Sequence, residues 1–242
     1  MKREDETLDT FYNGRILVLQ KKKGYRFSVD APLLADLIQT CSTDELLELG
    51  AGNGIISLLL SIKPFTHITA VEIQKSLADL ARRNVKLNNL EEKITVEEED
   101  LRTFVPEKKF DAVFSNPPYI RKDVGQLSLS KEKSVAKHEL ECTLGDIMKK
   151  TGELLKEEGR AYFIYLEKRR EDFLEEMERC GLRARRFRSV LPRKDEPPHF
   201  FLLECGFFSG KPEVLPPFIL YNEAGVYSEE AQEVFSGRVS HG

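Results

Sequence analysis

No run in this chain approaches the roughly 18 apolar residues that a membrane span needs. The opening stretch MKREDETLDT is too charged for a signal peptide. Neither membrane insertion nor secretion is expected, and the expected compartment is the cytoplasm. Cysteine is scarce: Cys41, Cys142, Cys180 and Cys205 are scattered with no close pair, which suggests neither a zinc site nor a disulfide framework. No metal is expected, and the thiols are expected to pack as small apolar groups. Net charge is only −4, so composition alone carries no nucleic-acid signature. There is no internal repeat and no low-complexity tract.

What is present suits one compact enzyme. The 242 residues, 40% of them hydrophobic, can build a substantial core. Apolar runs at 46–49, 68–73, 94–96, 110–114 and 161–166 read as strands, and helical spacing at 55–62, 76–87, 140–157 and 169–180 reads as helices. Asn88 and Asn89 stop the helix that carries Leu77, Leu80, Ala81 and Val85. Strands alternating with helices imply an α/β fold with a parallel, doubly wound sheet. Two last strands, over 183–191 and 200–207, flank the turn KDEPPH and are expected to pair antiparallel. Ahead of Asp44 the sequence predicts a hairpin over 16–26 and a helix over 32–40 capped by Asp30. The expected division is a hairpin and helix over 1–43, a core over 44–208, and a tail over 209–242 laid on that core with its last residues frayed.

Charge is unevenly distributed. Glu97, Glu98, Glu99 and Asp100 form an acidic run, whereas Arg183, Arg185, Arg186, Arg188, Arg193 and Lys194 follow Gly181 with no acid among them. The second stretch is either a solvated face or a phosphate-contacting strip.

Chemistry concentrates at three strand ends. The first strand runs into Glu48-Leu49-Gly50-Ala51-Gly52-Asn53-Gly54 and then a helix, where glycines permit a sharp turn and close approach of an anionic or nucleotide-like ligand to the helix start. Glu72, 22 residues beyond Gly50, ends the second strand, where an acid can accept hydrogen bonds from both ribose hydroxyls. After the run 110–114 comes Ser115-Asn116-Pro117-Pro118-Tyr119-Ile120: a carboxamide, two stiffening prolines and a ring. Its structural alternative is a proline-rich turn with a packed tyrosine.

ELGAGNG, VEI, EED and SNPPY, in that order and spacing, resemble the class I methyltransferases that use S-adenosylmethionine. The resemblance implies a Rossmann-like seven-stranded sheet with helices on both faces and an antiparallel last strand. It implies that Gly50, Gly52 and Gly54 cradle the methionine end of S-adenosyl-L-methionine, Glu72 the ribose and Asp100 the adenine amine, with Glu48, Ile73, Leu101 and Asn116 beside them. In enzymes with such a motif the Asn116 oxygen and the Pro117 carbonyl accept from the target amine while Tyr119 stacks on the base. An amine conjugated to a ring is a poor nucleophile, and acceptors at its N–H groups pull it toward tetrahedral geometry. Since the donor sulfonium is already electrophilic, alignment and placed dipoles suffice without a strong general base.

The flanks resemble the bacterial N6-adenine methyltransferases that act on a valine tRNA beside the anticodon. The similarity runs through residues 11–15, 20–34, His138-Glu139, 215–217 and 221–228. It implies that Ser28 and Asp30 lie beside the cofactor, although helix capping is a sufficient reason for Asp30. The implied partner is tRNA or another structured RNA, whose single-stranded bases flip at little cost. Lys21, Lys22, Lys23 and Arg26, Arg121 and Lys122 with Lys131, Lys133 and Lys137, and Arg183, Arg185, Arg186 and Arg188 are the phosphate candidates. Residues 121–136 are expected to gate the site, and His138 is expected to cap a helix or lie on the surface rather than act as a base. An N2-guanine rRNA methyltransferase, a protein glutamine methyltransferase and a non-catalytic RNA-binding scaffold remain alternatives.

Overall fold

The computed structural model describes residues 2–22, 29–117 and 142–237. Its parallel strands are β3 (Glu45–Leu49), β4 (His67–Val71), β5 (Ile94–Glu97), β6 (Phe110–Ser115) and β7 (Leu155–Leu166). Strand β8 (Arg183–Leu191) continues their direction, and β9 (Phe200–Gly206) inserts antiparallel between β7 and β8. The order β8-β9-β7-β6-β3-β4-β5 is the expected seven-stranded sheet with its last strand reversed. Two further two-residue strands, β10 (Glu213–Val214) and β11 (Phe218–Ile219), run parallel to β8 and widen that edge.

The sheet is buried on both sides, which explains the nearly continuous apolar runs of its central strands. One face (Leu46, Ile68, Ala112, Phe114, Ile164 and Leu202) packs on helices α1 (Asp30–Leu37), α2 (Ile55–Leu60) and α3 (Lys75–Leu87), with α6 (Glu229–Ser236) in the same cluster. The other face (Leu47, Leu49, Val113, Phe163 and Leu203) packs on α4 (Leu144–Leu154) and α5 (Arg170–Arg179). Cys205 is buried in this second cluster, Cys142 and Cys180 are half-buried, and Cys41 is exposed, so apolar packing describes only part of the thiol set.

Three local expectations are corrected. The hairpin is β1 (Glu6–Phe11) with β2 (Ile16–Lys21), one strand earlier than 16–26, around a turn in which Tyr12, Asn13 and Gly14 all have positive φ. Hydropathy misses β1 because its innermost side chain is charged: Glu6 is fully buried, and its carboxylate takes both Arg83 guanidinium nitrogens at 2.6 and 2.7 Å. Helix α4 stops at Leu154 and β7 starts at Leu155, so Gly159 lies within a strand. The register jumps from Phe110↔Leu155 to Ala112↔Arg160, and the extra residues form an irregular bulge at this end of β7. Finally, α1 begins at Asp30 itself; Val29 is the N-cap position and no side chain caps it. Lys63 instead closes the other end of α1, donating to the carbonyls of Ala35, Asp36 and Ile38 at 2.7 to 2.9 Å.

The N-terminal hairpin is held by two asparagines one turn apart on α3. Asn84 accepts from Leu19 N–H (2.7 Å) and donates to Leu19 carbonyl (3.1 Å); Asn88 accepts from Leu17 N–H (2.9 Å) and donates to Leu17 carbonyl (2.7 Å). A four-residue step along a helix rises about 6 Å. Two residues of a strand rise about 6.6 Å, close enough for two amides to replace a neighbouring strand along the edge of β2.

Candidate active site

Register brings the three strand ends level. Leu49 pairs with Val71, and Glu48 with Phe114, so the residues after β3, β4 and β6 emerge along one rim. Strand β3 lies between β4 and β6, which is where the connections diverge to the two faces and where such sheets bind ligands.

The turn after β3 is fixed from beneath. Gly50 and Ala51 N–H both donate to the Val71 carbonyl (2.9 and 3.0 Å), Gly52 N–H donates to Glu72 Oε2 (2.8 Å), and Gly54 N–H to the Ala51 carbonyl (2.8 Å). These N–H groups therefore shape the turn. Gly54 has φ +79°, and a Cβ there would stand 3.3 Å from the Ala81 Cβ of α3, so glycine is demanded by both conformation and packing. At Gly50, φ +74°, a Cβ would meet nothing within 4 Å, leaving open space over the turn.

Two acids flank the turn. Glu72 is buried, its Oε1 accepting from Gln74 N–H at 2.8 Å, and burial raises its pKa while the Gln74 and Gly52 N–H groups oppose the shift. Glu48 is buried deeper. Its Oε2 receives the Ser57 hydroxyl and the Ser57 N–H (3.3 Å), and burial pushes its pKa up to about 8 against those two bonds, with Glu72 adding to the rise. Glu48 thus ties β3 to α2.

Asn116 follows β6, and Ser115 donates to the Leu49 carbonyl at 2.6 Å, fastening that strand end to β3. Asn116 Nδ2 donates to Asp30 Oδ2 at 2.7 Å. This contact accounts for Asp30 better than capping does. Pro117 is buried, Ile73 is half-buried and Leu101 is buried. Asp100 stands near the rim, but Arg102 binds both of its oxygens (2.9 and 2.8 Å from Nε) and holds its pKa below the usual range. The expected adenine contact at Asp100 would have to share the carboxylate with that guanidinium. Ser28, Tyr119, Arg121 and Lys122 lie outside the described residues, as do Lys23, Arg26, Lys131, Lys133, Lys137, His138 and the stretch expected to gate the site.

The arginine strip reads differently once folded. Acids from other elements meet three of its arginines, Arg185 with Glu204 (3.4 Å), Arg186 with Glu213 (3.0 Å) and Arg188 with Glu230 (2.6 Å), while Arg193 meets Glu196 of its own connection (2.6 Å). Arg183 donates to the adjacent Leu182 carbonyl, and Lys21 pairs with Asp5 at 2.7 Å. Registers through Ser115↔Phe163, Phe163↔Leu203 and Phe187↔Leu203 place Phe187 level with the site, so Arg183 and Arg185 lie back toward the opposite end of the sheet while Arg186 and Arg188 flank the level of the site. The strip is an ion-paired edge, and a phosphate there would have to compete with those acids.

Sequence reading missed two residues. Asn84 is fully buried, and besides gripping β2 it donates to the Asn53 carbonyl at 2.9 Å, joining hairpin to glycine turn. Its signal was available, because an amide three, four and seven residues after Ala81, Leu80 and Leu77 sits in an apolar stripe. Asn53 is 2% exposed, and its side-chain Oδ1 has no partner among the described residues. An orphaned acceptor, a buried acid and open space over Gly50 fit a donor-rich, cationic nucleoside ligand.

The order of the sheet, the glycine turn and the Asn-Pro at the end of β6 define a class, the methyltransferases that draw on S-adenosylmethionine. Residues 26–177 match the model of the methyltransferase small domain, and the chain belongs to that family. Among curated relatives, a Vibrio cholerae tRNA1(Val) (adenine(37)-N6)-methyltransferase is 29% identical over 182 residues, 75% of each chain. Its namesake from a Flavobacteriaceae bacterium is 30% identical over 147 residues, 60% of this chain and 62% of the relative. Among solved structures, a predicted O-methyltransferase from Agrobacterium tumefaciens superposes with a TM-score of 0.66 at 19% identity, covering 86% of this chain and 96% of its own. That likeness concerns the fold.

Proposed function

We propose that this methyltransferase modifies the exocyclic amine of a nucleobase, N6 of an adenine in tRNA. The observation that carries the reading is Asn116 at the end of β6, its amide nitrogen held by Asp30 and its strand end fastened to the end of β3, where the glycine turn begins. Glu72 would receive the ribose hydroxyls of S-adenosylmethionine, and the turn from Gly50 to Gly54 with the Asn53 oxygen would receive its methionine end. The bound cofactor supplies an electrophilic methyl group. Asn116 Oδ1 and the Pro117 carbonyl would accept from the target N–H groups, reducing delocalisation of the nitrogen lone pair and orienting it for attack, and the surplus proton on the methylated nitrogen would pass to solvent. Tyr119 is proposed to stack on the flipped base. The names of the aligned relatives supply the tRNA and the adenine.

Phosphate contacts are assigned to cations that keep no ion pair among the described residues: Lys22 beyond β2, Lys168 after β7 and Lys194 in the β8–β9 connection. Labelled S-adenosylmethionine offered with separate unmethylated tRNA, rRNA and protein fractions tests the substrate. Label in tRNA is expected; label confined to rRNA or protein would overturn the substrate while leaving the family intact.

A further inference from the structure

Asn116 poses a problem that the motif alone does not solve. The two ends of a carboxamide are nearly the same size, yet only the oxygen can accept from a target amine; turned over, the group would set N–H against N–H. Something must specify which end faces the substrate. Asp30 is placed to do so: it is 5% exposed, its Oδ2 lies 2.7 Å from Asn116 Nδ2, and its Oδ1 lies 3.2 Å from the Ala31 N–H. Each oxygen therefore has a stated partner, and the carboxylate is fixed to the first turn of α1, a helix clamped at its far end by Lys63.

We propose that Asp30 is a positioning residue that acts through Asn116, fixing its amide so that Oδ1 is the end offered to the acceptor amine. A carboxylate only accepts, so it admits the NH₂ end and repels the oxygen. Donation to a charged acceptor also shifts electron density along the amide toward Oδ1, because hydrogen bonds in series polarise one another. That strengthens the acceptor as positive charge develops on the attacking nitrogen. The proposal rests on the reading of Asn116 given above and departs from two other roles for Asp30, a helix cap or a direct cofactor contact.

The test uses the full chain with single and double substitutions, reading turnover, S-adenosylmethionine affinity by calorimetry, and thermal midpoint. Asp30→Ala is expected to cut kcat about 100-fold, the scale for loss of one aligned polar group, with cofactor Kd within about threefold. Asp30→Asn keeps an acceptor but can itself turn over, and its kcat should fall between wild type and alanine; it also serves if the alanine variant fails to fold. In an Asn116→Ala background, Asp30→Ala should remove almost nothing more, since the two residues act as one unit. Additive losses, a Kd that rises in step with the fall in kcat, or a change confined to thermal midpoint would each overturn the proposal. An inactive wild type that binds cofactor would instead sink the substrate reading.

Discussion

At the residue scale, the site depends on which atoms are already engaged. Asn116→Ala is expected to bind S-adenosylmethionine normally and to lose turnover by about 100-fold or more; near-normal turnover would remove Asn116 from the chemistry. Gly54→Ala tests the turn. With φ +79° and Ala81 Cβ at 3.3 Å, the added methyl is both strained and crowded, and a loss of about 1–3 kcal/mol is expected in denaturant unfolding. Unaltered stability would show that the turn tolerates a Cβ.

At the element scale, α3 joins what the sequence separates. Asn84 makes three buried hydrogen bonds, two to β2 and one to the Asn53 carbonyl, so Asn84→Ala strands backbone groups on both. A loss of about 2–4 kcal/mol is expected, since each stranded buried group costs about 1–3 kcal/mol. Amide exchange should rise through residues 6–21 and the glycine turn together; a rise confined to the hairpin would show that the two are not coupled. Periodicity exposed most elements: α3 and α5 fall within a residue of their expected spans because their apolar positions repeat at the helical period, and β8 matches the stretch between Gly181 and the KDEPPH turn. It failed where polarity disguised packing, as in β1 with buried Glu6, and where a bulge lengthened β7. Glycine turn, Glu72 and Asn116 were legible because short motifs sit at strand ends. The Asp30–Asn116 bond was not legible, since it joins positions 86 residues apart.

At the scale of the whole molecule, two carboxyl groups give stability opposite dependences on pH. The Arg83 guanidinium holds Glu6 down at about 2 against an ordinary value of 4.5, with burial opposing. Its contribution is present above the unfolded value and lost as pH falls from about 4.5 through 2. Burial raises Glu48 from 4.5 to about 8, so the folded chain keeps a proton that the unfolded chain releases, and stability falls as pH rises across that window. Glu48→Gln should reduce the difference in unfolding free energy between pH 5 and pH 8; an unchanged difference would show that Glu48 does not carry it. The ion-pair edge makes a separate distinction. Reversing Arg185 and Arg186 leaves Glu204, 2% exposed, without its cations, and should lower thermal stability without changing the salt dependence of RNA binding. Reversing Lys22 with Lys194 should flatten that salt dependence and leave stability nearly unchanged. The central claim joins Asn116 to transfer onto a base amine, and nucleoside mass spectrometry of unmethylated tRNA treated with wild type and with Asn116→Ala tests it most directly. The account predicts N6-methyladenosine from wild type and almost none from the variant at equal cofactor occupancy. A methyl group on guanine, on ribose or on a ring nitrogen, or equal product from both proteins, would contradict it.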